Sequence, residues 1–144
     1  MKRQFPFSCS ASSSLGDGWS CEKIYDNEPS SWQDKSLKCA DATLEFTFSK
    51  DVYFEFLTYE NLDDSKSFKR NFKPRDILIT SEEEGFSIEY ELENQNTSTQ
   101  WIDLNTTTSV ITIQILSAYP GEEVNGAEAF PECAIEEITF YGRG

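Results

Sequence analysis

The strongest constraint on this chain is the alternation of apolar and polar residues with a period of two. That pattern marks strands with one face in a core and the other in water. Leu44, Phe46 and Phe48 alternate with Glu45 and Thr47, and Val52, Phe54 and Phe56 alternate with Tyr53 and Glu55. Phe86, Ile88, Tyr90 and Leu92 alternate with Ser87, Glu89 and Glu91. Ile111, Ile113 and Ile115 share one face, as do Ile138 and Phe140 near the end. Ile77-Leu78-Ile79 is a continuous apolar run, which reads as a strand buried on both faces. No long helical period appears, and one helical turn is expected around Cys21 to Tyr25.

Turn-forming clusters at 12–18, 61–66, 82–85, 94–99 and 120–131 separate these segments. Within them, Asp63-Asp64 and Glu82-Glu83-Glu84 read as solvated hairpin tips. Glycosidase carboxylates face each other across a cleft, which neighbours on one turn cannot do. About eight short strands with this spacing predict an all-β chain, an antiparallel sandwich or jelly roll. Residues 1–144 are expected to form one domain, with no repeat or linker.

Charge narrows the function. There are 26 Asp and Glu against 12 Lys and Arg, a formal charge of −14. Such a surface repels phosphate backbones and anionic lipid heads, so neither nucleic acid nor membrane is an expected partner. No apolar run approaches the roughly 18–20 residues that span a bilayer. The chain has no histidine, which excludes Ser-His-Asp and Cys-His pairs and imidazole metal ligands. There is no Gly-x-Gly-x-x-Gly either, and no catalytic residue is predicted. The 3 Trp, 6 Tyr and 11 Phe argue for a folded core instead.

The four cysteines, Cys9, Cys21, Cys39 and Cys133, form no Cys-x-x-Cys pair. Two disulfides in any of three pairings fit the even count, and four buried thiols are the alternative. Two sequons begin at Asn96 and Asn105, compatible with secretion. Phe5-Pro6-Phe7 is too short for the apolar core of a signal peptide, so an extracellular or cell-surface location rests on the cysteines.

Two distant segments are more specific than composition. Ile24-Tyr25-Asp26-Asn27-Glu28-Pro29-Ser30-Ser31-Trp32 and Ala134-Ile135-Glu136-Glu137-Ile138-Thr139-Phe140-Tyr141-Gly142 together resemble the galactose-binding-like, or discoidin, sandwich family. In that family an Asp-Gly-Asp-x-x-Thr-x-Trp loop follows the first strand, and the last strand is entered through Glu and left through Phe-Tyr-Gly. Phe68 to Ile77, Gln100 to Leu104 and Ile115 to Gly121 are similar to the branch called NADase-type glycan-binding domains. The resemblance covers about residues 8–142.

The resemblance implies a non-catalytic module that binds a glycan or glycoprotein through loops at one end of the sandwich. The alternative is a protein–protein or assembly domain that has kept the fold without the sugar site. It also implies a structural calcium ion held by Asp26 and Glu137, with carbonyls near Lys23 or Ile24 and near Glu28, and a hydroxyl from Ser30 or Ser31. Asn27 replaces the family's Gly there, and Ser its Thr. The alternative is that Asp26 caps the turn and Glu137 pairs with a cation such as Arg75. Trp32 is expected in the core.

Candidate ligand contacts are Trp19, Tyr59, Arg70, Arg75 and Tyr119. An exposed aromatic ring offers a platform to the C–H face of a sugar, and a guanidinium fork grips hydroxyls or a carboxylate. Against this, Trp19 can fold back on the sandwich edge, and Arg75 can anchor its strand to an acidic neighbour.

Overall fold

The computed structural model describes residues 2–28, 30–61, 66–82 and 85–144. Asp63, Asp64, Glu83 and Glu84, expected at hairpin tips, lie outside the described residues. The order of elements begins with β1 (Lys2–Gln4), β2 (Ser8–Ala11), 3-10 turns at Asp17–Trp19 and Cys21–Tyr25, and β3 (Trp32–Gln33). Next come the long β4 (Thr43–Glu60), a single helical turn α1 (Lys66–Lys69), β5 (Lys73–Pro74), β6 (Asp76–Ser81) and β7 (Ser87–Glu91). The long β8 (Gln100–Ile115), β9 (Ala118–Tyr119), β10 (Ala134–Ile135) and β11 (Glu137–Arg143) complete it.

β4 and β8 build both layers. The first half of β4 pairs with β2 and with the second half of β8, which goes on to β6 and then β7. The second half of β4 pairs with β11 and with the first half of β8, and β1 extends that side. All these pairings are antiparallel. A register shift between Thr47 and Val52 marks where the pair passes from one layer to the other. Facing the core, Phe140 of β11 meets Phe46 and Phe48 of β4 at ring-centroid distances of 5.1 and 5.3 Å. Phe46, Phe54, Phe140, Trp32, Leu44, Ile79 and Ile111 are fully excluded from water. This is the β-sandwich that the alternation predicts.

Two strand readings are corrected. Phe56 does not share the core face with Val52 and Phe54, because the register shifts between Phe54 and Phe56 and turns Phe56 outward. Leu57 and Tyr59 take up the core positions instead. A bulge adds one residue, so every later side chain changes face. The same irregularity falls between Tyr141 and Gly142 on β11. A Cβ on Gly142 would stand 2.2 Å from the Tyr53 carbonyl oxygen, so only glycine fits this crossing. Ile77-Leu78-Ile79 is half-buried rather than doubly buried, since Leu78 keeps partial exposure.

The turn at Cys21–Tyr25 forms as expected, as a 3-10 turn with Cys21 and Ile24 buried. Those positions are three apart, which eclipses them on one face. Disulfides join Cys9 to Cys21 and Cys39 to Cys133. No helix among the described residues is long and apolar enough to cross a membrane.

Candidate functional site

The register places the long connections at one end. Glu60 of β4 pairs with Glu137 of β11, Tyr59 pairs with Gln100 at the start of β8, and Asp76 pairs with Glu91. Asn61 and the segments 66–72, 92–99 and 116–136 therefore lie beyond those residues. β5 and β9 pair across this end, with Lys73 opposite Tyr119 and Pro74 opposite Ala118.

Arg75 and Tyr119 come together there. The guanidinium carbon lies 5.5 Å from the Tyr119 ring centroid, and Nη2 stands 3.4 Å from Glu91 Oε1. Tyr119 donates its hydroxyl proton to the Leu92 carbonyl at 2.8 Å, which fixes the ring. Arg75 thus has the acidic neighbour that its anchoring role requires, yet it stays exposed. Arg70 turns the other way. Its Nε–H donates to the Glu128 carbonyl at 2.8 Å, and its guanidinium stacks 3.8 Å from the Phe130 ring centroid. The Arg70 carbonyl would lie 1.9 Å from a Cβ on Gly121, so this loop closes only around glycine.

Next to Tyr119 is a cleft of about 360 Å³, lined by Lys38, Asp41, Gln114, Leu116 and Ser117 among others. Leu116, 45% exposed, is an apolar residue in that lining. Ser36, Lys38, Cys39 and Asp41 all have left-handed backbone, with φ of 60°, 53°, 69° and 54°. Such a run persists only where its surroundings over-determine it. Asp34, fully buried, supplies the restraint: its carboxylate accepts the N–H groups of Leu37, Cys39 and Cys133. The Cys39–Cys133 disulfide adds a covalent one.

Trp19 and Tyr59 do not join this group. Trp19 is 42% exposed and its N–H bonds to the Gly16 carbonyl, on the segment leading to the Cys9–Cys21 disulfide. Tyr59 is 2% exposed, on the core face of β4, and presents no surface to a ligand. Burial, reinforced by the Glu136 carboxylate, raises its hydroxyl pKa well above the usual value.

Lys73 is also buried, with Nζ donating to the carbonyls of Phe68 at 2.6 Å and Asn71 at 3.0 Å. Burial lowers its pKa to about 8 from 10.5, while Glu122 and Glu136 oppose the shift. Below pH 8 both folded and unfolded chains hold this proton. From 8 to 10.5 only the unfolded chain does, so stability rises with pH across that window. The rise contributed by Lys73 is expected to total about 3 kcal/mol. Denaturant unfolding compared near pH 8 and pH 10 should show about two thirds of it in the native chain and none in Lys73→Met.

The expected calcium ligands also converge. The Asn27 N–H donates to Glu137 Oε1 at 3.0 Å. Asp26 Oδ1 accepts the Glu28 N–H at 3.0 Å, and its Oδ2 accepts the Ser30 hydroxyl at 2.5 Å. Asn27 adopts φ 57°, so it takes the left-handed conformation for which the family pattern uses Gly. Ser31 is a buried partner of Gln33 instead. The cation beside Glu137 is Arg3 rather than Arg75, with Nη2 at 3.1 Å from Oε2. Burial raises the Glu137 carboxyl to about 7, Asn27 and Arg3 pull it down, and Asp26 and Glu60 push it up. Among the described residues, no group of three or more Asp, Glu or Cys is arranged to hold a metal ion.

One surface escaped the sequence reading. Trp101, 60% exposed, packs 5.0 Å from the Phe56 ring centroid, and Phe56 stacks on Tyr141 at 4.8 Å. The three rings form a strip over the outer face of β8, β4 and β11. Its signal was present in the alternation of outward Trp101, Asp103 and Asn105 with inward Ile102 and Leu104.

No protein-family model and no curated protein matches the chain. Solved structures do. A fragment of a candidate chitobiase from Bacteroides thetaiotaomicron superposes with TM-score 0.73 at 13% identity, over 99% of this chain and 93% of that one. The family 32 carbohydrate-binding module of Clostridium perfringens NanJ, in complex with galactose, gives TM-score 0.65 at 13% identity, over 92% and 91%. A family 32 carbohydrate-binding module from a family 31 glycoside hydrolase of Clostridium perfringens gives 0.68 at 17%, over 93% and 88%. The chain therefore has the galactose-binding-like, discoidin-type fold.

Proposed function

We propose that the chain is a non-catalytic module that binds a carbohydrate or glycoprotein in the loops at one end of the sandwich, at Arg75, Tyr119 and the adjoining cleft. The observation that carries this reading is the cleft itself. It gathers Lys38, Asp41, Gln114 and Ser117 with the partly exposed, apolar Leu116, beside a backbone held by Asp34 and a disulfide. A sugar presents that same mixture of hydroxyls and C–H faces, and a preformed site spends little binding energy on ordering. The galactose and N-acetylgalactosamine complexes of similarly folded modules support it. Two disulfides suit a secreted or cell-surface setting.

A glycan array tests the reading. Arg75→Ala is expected to weaken every hit at least about tenfold while moving the thermal midpoint little, since an exposed ion pair contributes about 0–1 kcal/mol. A blank array from folded protein overturns it.

The aromatic strip favours a second reading, an interaction or assembly domain. Exposed Trp and Tyr are the residues that most often anchor protein interfaces. Under that reading Trp101→Ala abolishes partner capture, and Arg75→Ala leaves it intact.

A further inference from the structure

We propose that Arg3 is the resident cation of the Glu137 site, so that the chain's own guanidinium stands where the family resemblance puts calcium. Glu137 is 1% exposed, and a carboxylate at such depth needs a compensating charge or donors. The groups facing it are Asp26 and Glu60, both acidic, the Asn27 N–H, and Arg3.

Calcium takes six to eight oxygen ligands. Here the two carboxylates expected to bind it meet hydrogen donors instead. Glu137 accepts from Asn27 N–H and from Arg3, and Asp26 accepts from Glu28 N–H and from Ser30. Those four donors take up half of the lone pairs of the two carboxylates, and one of them is a full positive charge that would stand against a divalent cation, so this set does not fit the ion.

Arg3 is well held for the task. The pairs Lys2–Gly142, Arg3–Tyr141 and Gln4–Phe140 fix β1 against β11, and Gln4 Nε2–H donates to the Gly142 carbonyl at 3.2 Å. The Phe5 ring, with its centroid 4.6 Å from the guanidinium carbon, covers the cation and adds a cation–π attraction. The ion pair links residues 134 apart in sequence and ties β1, through Glu137, to the Asp26–Glu28 segment whose Asn27 N–H meets the same carboxylate. The loop then needs no metal to stay ordered.

The test is a set of thermal melts of the whole chain, with calcium chloride or with EDTA. The native midpoint is expected to agree within about 1 °C in the two buffers. A native-state calcium site would instead raise it by several degrees at saturating metal, and that result overturns the proposal. Arg3→Met is expected to lower the midpoint by roughly 5–10 °C. In a Glu137→Gln background, Arg3→Met should cost less than half as much. Equal losses in both backgrounds would show that Arg3 acts elsewhere. Should the variants fail to fold, the native chain's response to calcium still decides the matter.

Discussion

Replacing Cys39 and Cys133 together by serine is expected to destabilise the chain by roughly 3–5 kcal/mol. The bridge spans 94 residues, against 12 for Cys9–Cys21. On a chain-entropy account, the longer loop makes the Cys39–Cys133 bridge worth about 2 kcal/mol more than the shorter one. Its loss should lower the thermal midpoint by roughly 10–15 °C. Asp34 will hold part of the native arrangement, because its carboxylate also joins the N–H groups of Cys39 and Cys133. Calorimetry of the double variant, beside Cys9→Ser/Cys21→Ser, measures both the size and the order of the two effects. If the short bridge proved the more costly, loop entropy would not be what the long one supplies. On the proposed carbohydrate reading, glycan affinity should fall further than stability alone accounts for, because Lys38, Cys39 and Asp41 line the cleft in left-handed conformations that the bridge restrains.

Phe140→Ala should cost about 3–5 kcal/mol, the range for removing a fully buried ring. Phe140 is completely excluded from water and touches Phe46, Phe48 and Phe54, which belong to both halves of β4. Truncation opens a cavity where the two layers meet, and the neighbouring rings can collapse into it only by moving whole strands. Phe140→Leu keeps most of the apolar contact and should cost roughly a third as much. Trp101→Ala gives the contrast. It removes a larger ring, but an exposed one held mainly by its contact with Phe56, and should cost about 1 kcal/mol. Urea unfolding of the three variants separates them, and a Trp101 effect as large as that of Phe140 would place Trp101 in the core.

Much of the fold could be read directly. Period-two alternation put Leu44, Phe46, Ile111, Ile113, Ile138 and Phe140 inside, and every one is buried. The turn at Cys21–Tyr25 and the core position of Trp32 were equally legible. The outward turn of Phe56 is not legible because a bulge carries no local signature: the residues around it alternate as they would in an unbroken strand. Tyr59 goes with it, since its face depends on that bulge.

The candidate site was legible only in part. Arg75 and Tyr119 stand out in the sequence as a scarce cation and a strand-end ring, and the pairing of β5 with β9 brings them together. Lys38, Asp41, Gln114 and Ser117 do not, since nothing in their local sequence separates a cleft wall from an ordinary loop. Nothing in the local sequence marks Arg3, whose partner Glu137 lies 134 residues away.

By itself, then, the sequence determined which side chains face inward, where the chain turns, and that the molecule is an acidic sandwich without imidazole chemistry. Those properties depend on neighbours within a few residues, over which the pleat and the turn propensities act. Tertiary structure alone decided which halves of β4 and β8 lie in which layer, which cysteines pair, and which cation meets Glu137. Each of those depends on register between distant strands. One inserted residue shifts a register by a full side-chain alternation, and only the packed core selects among the possibilities.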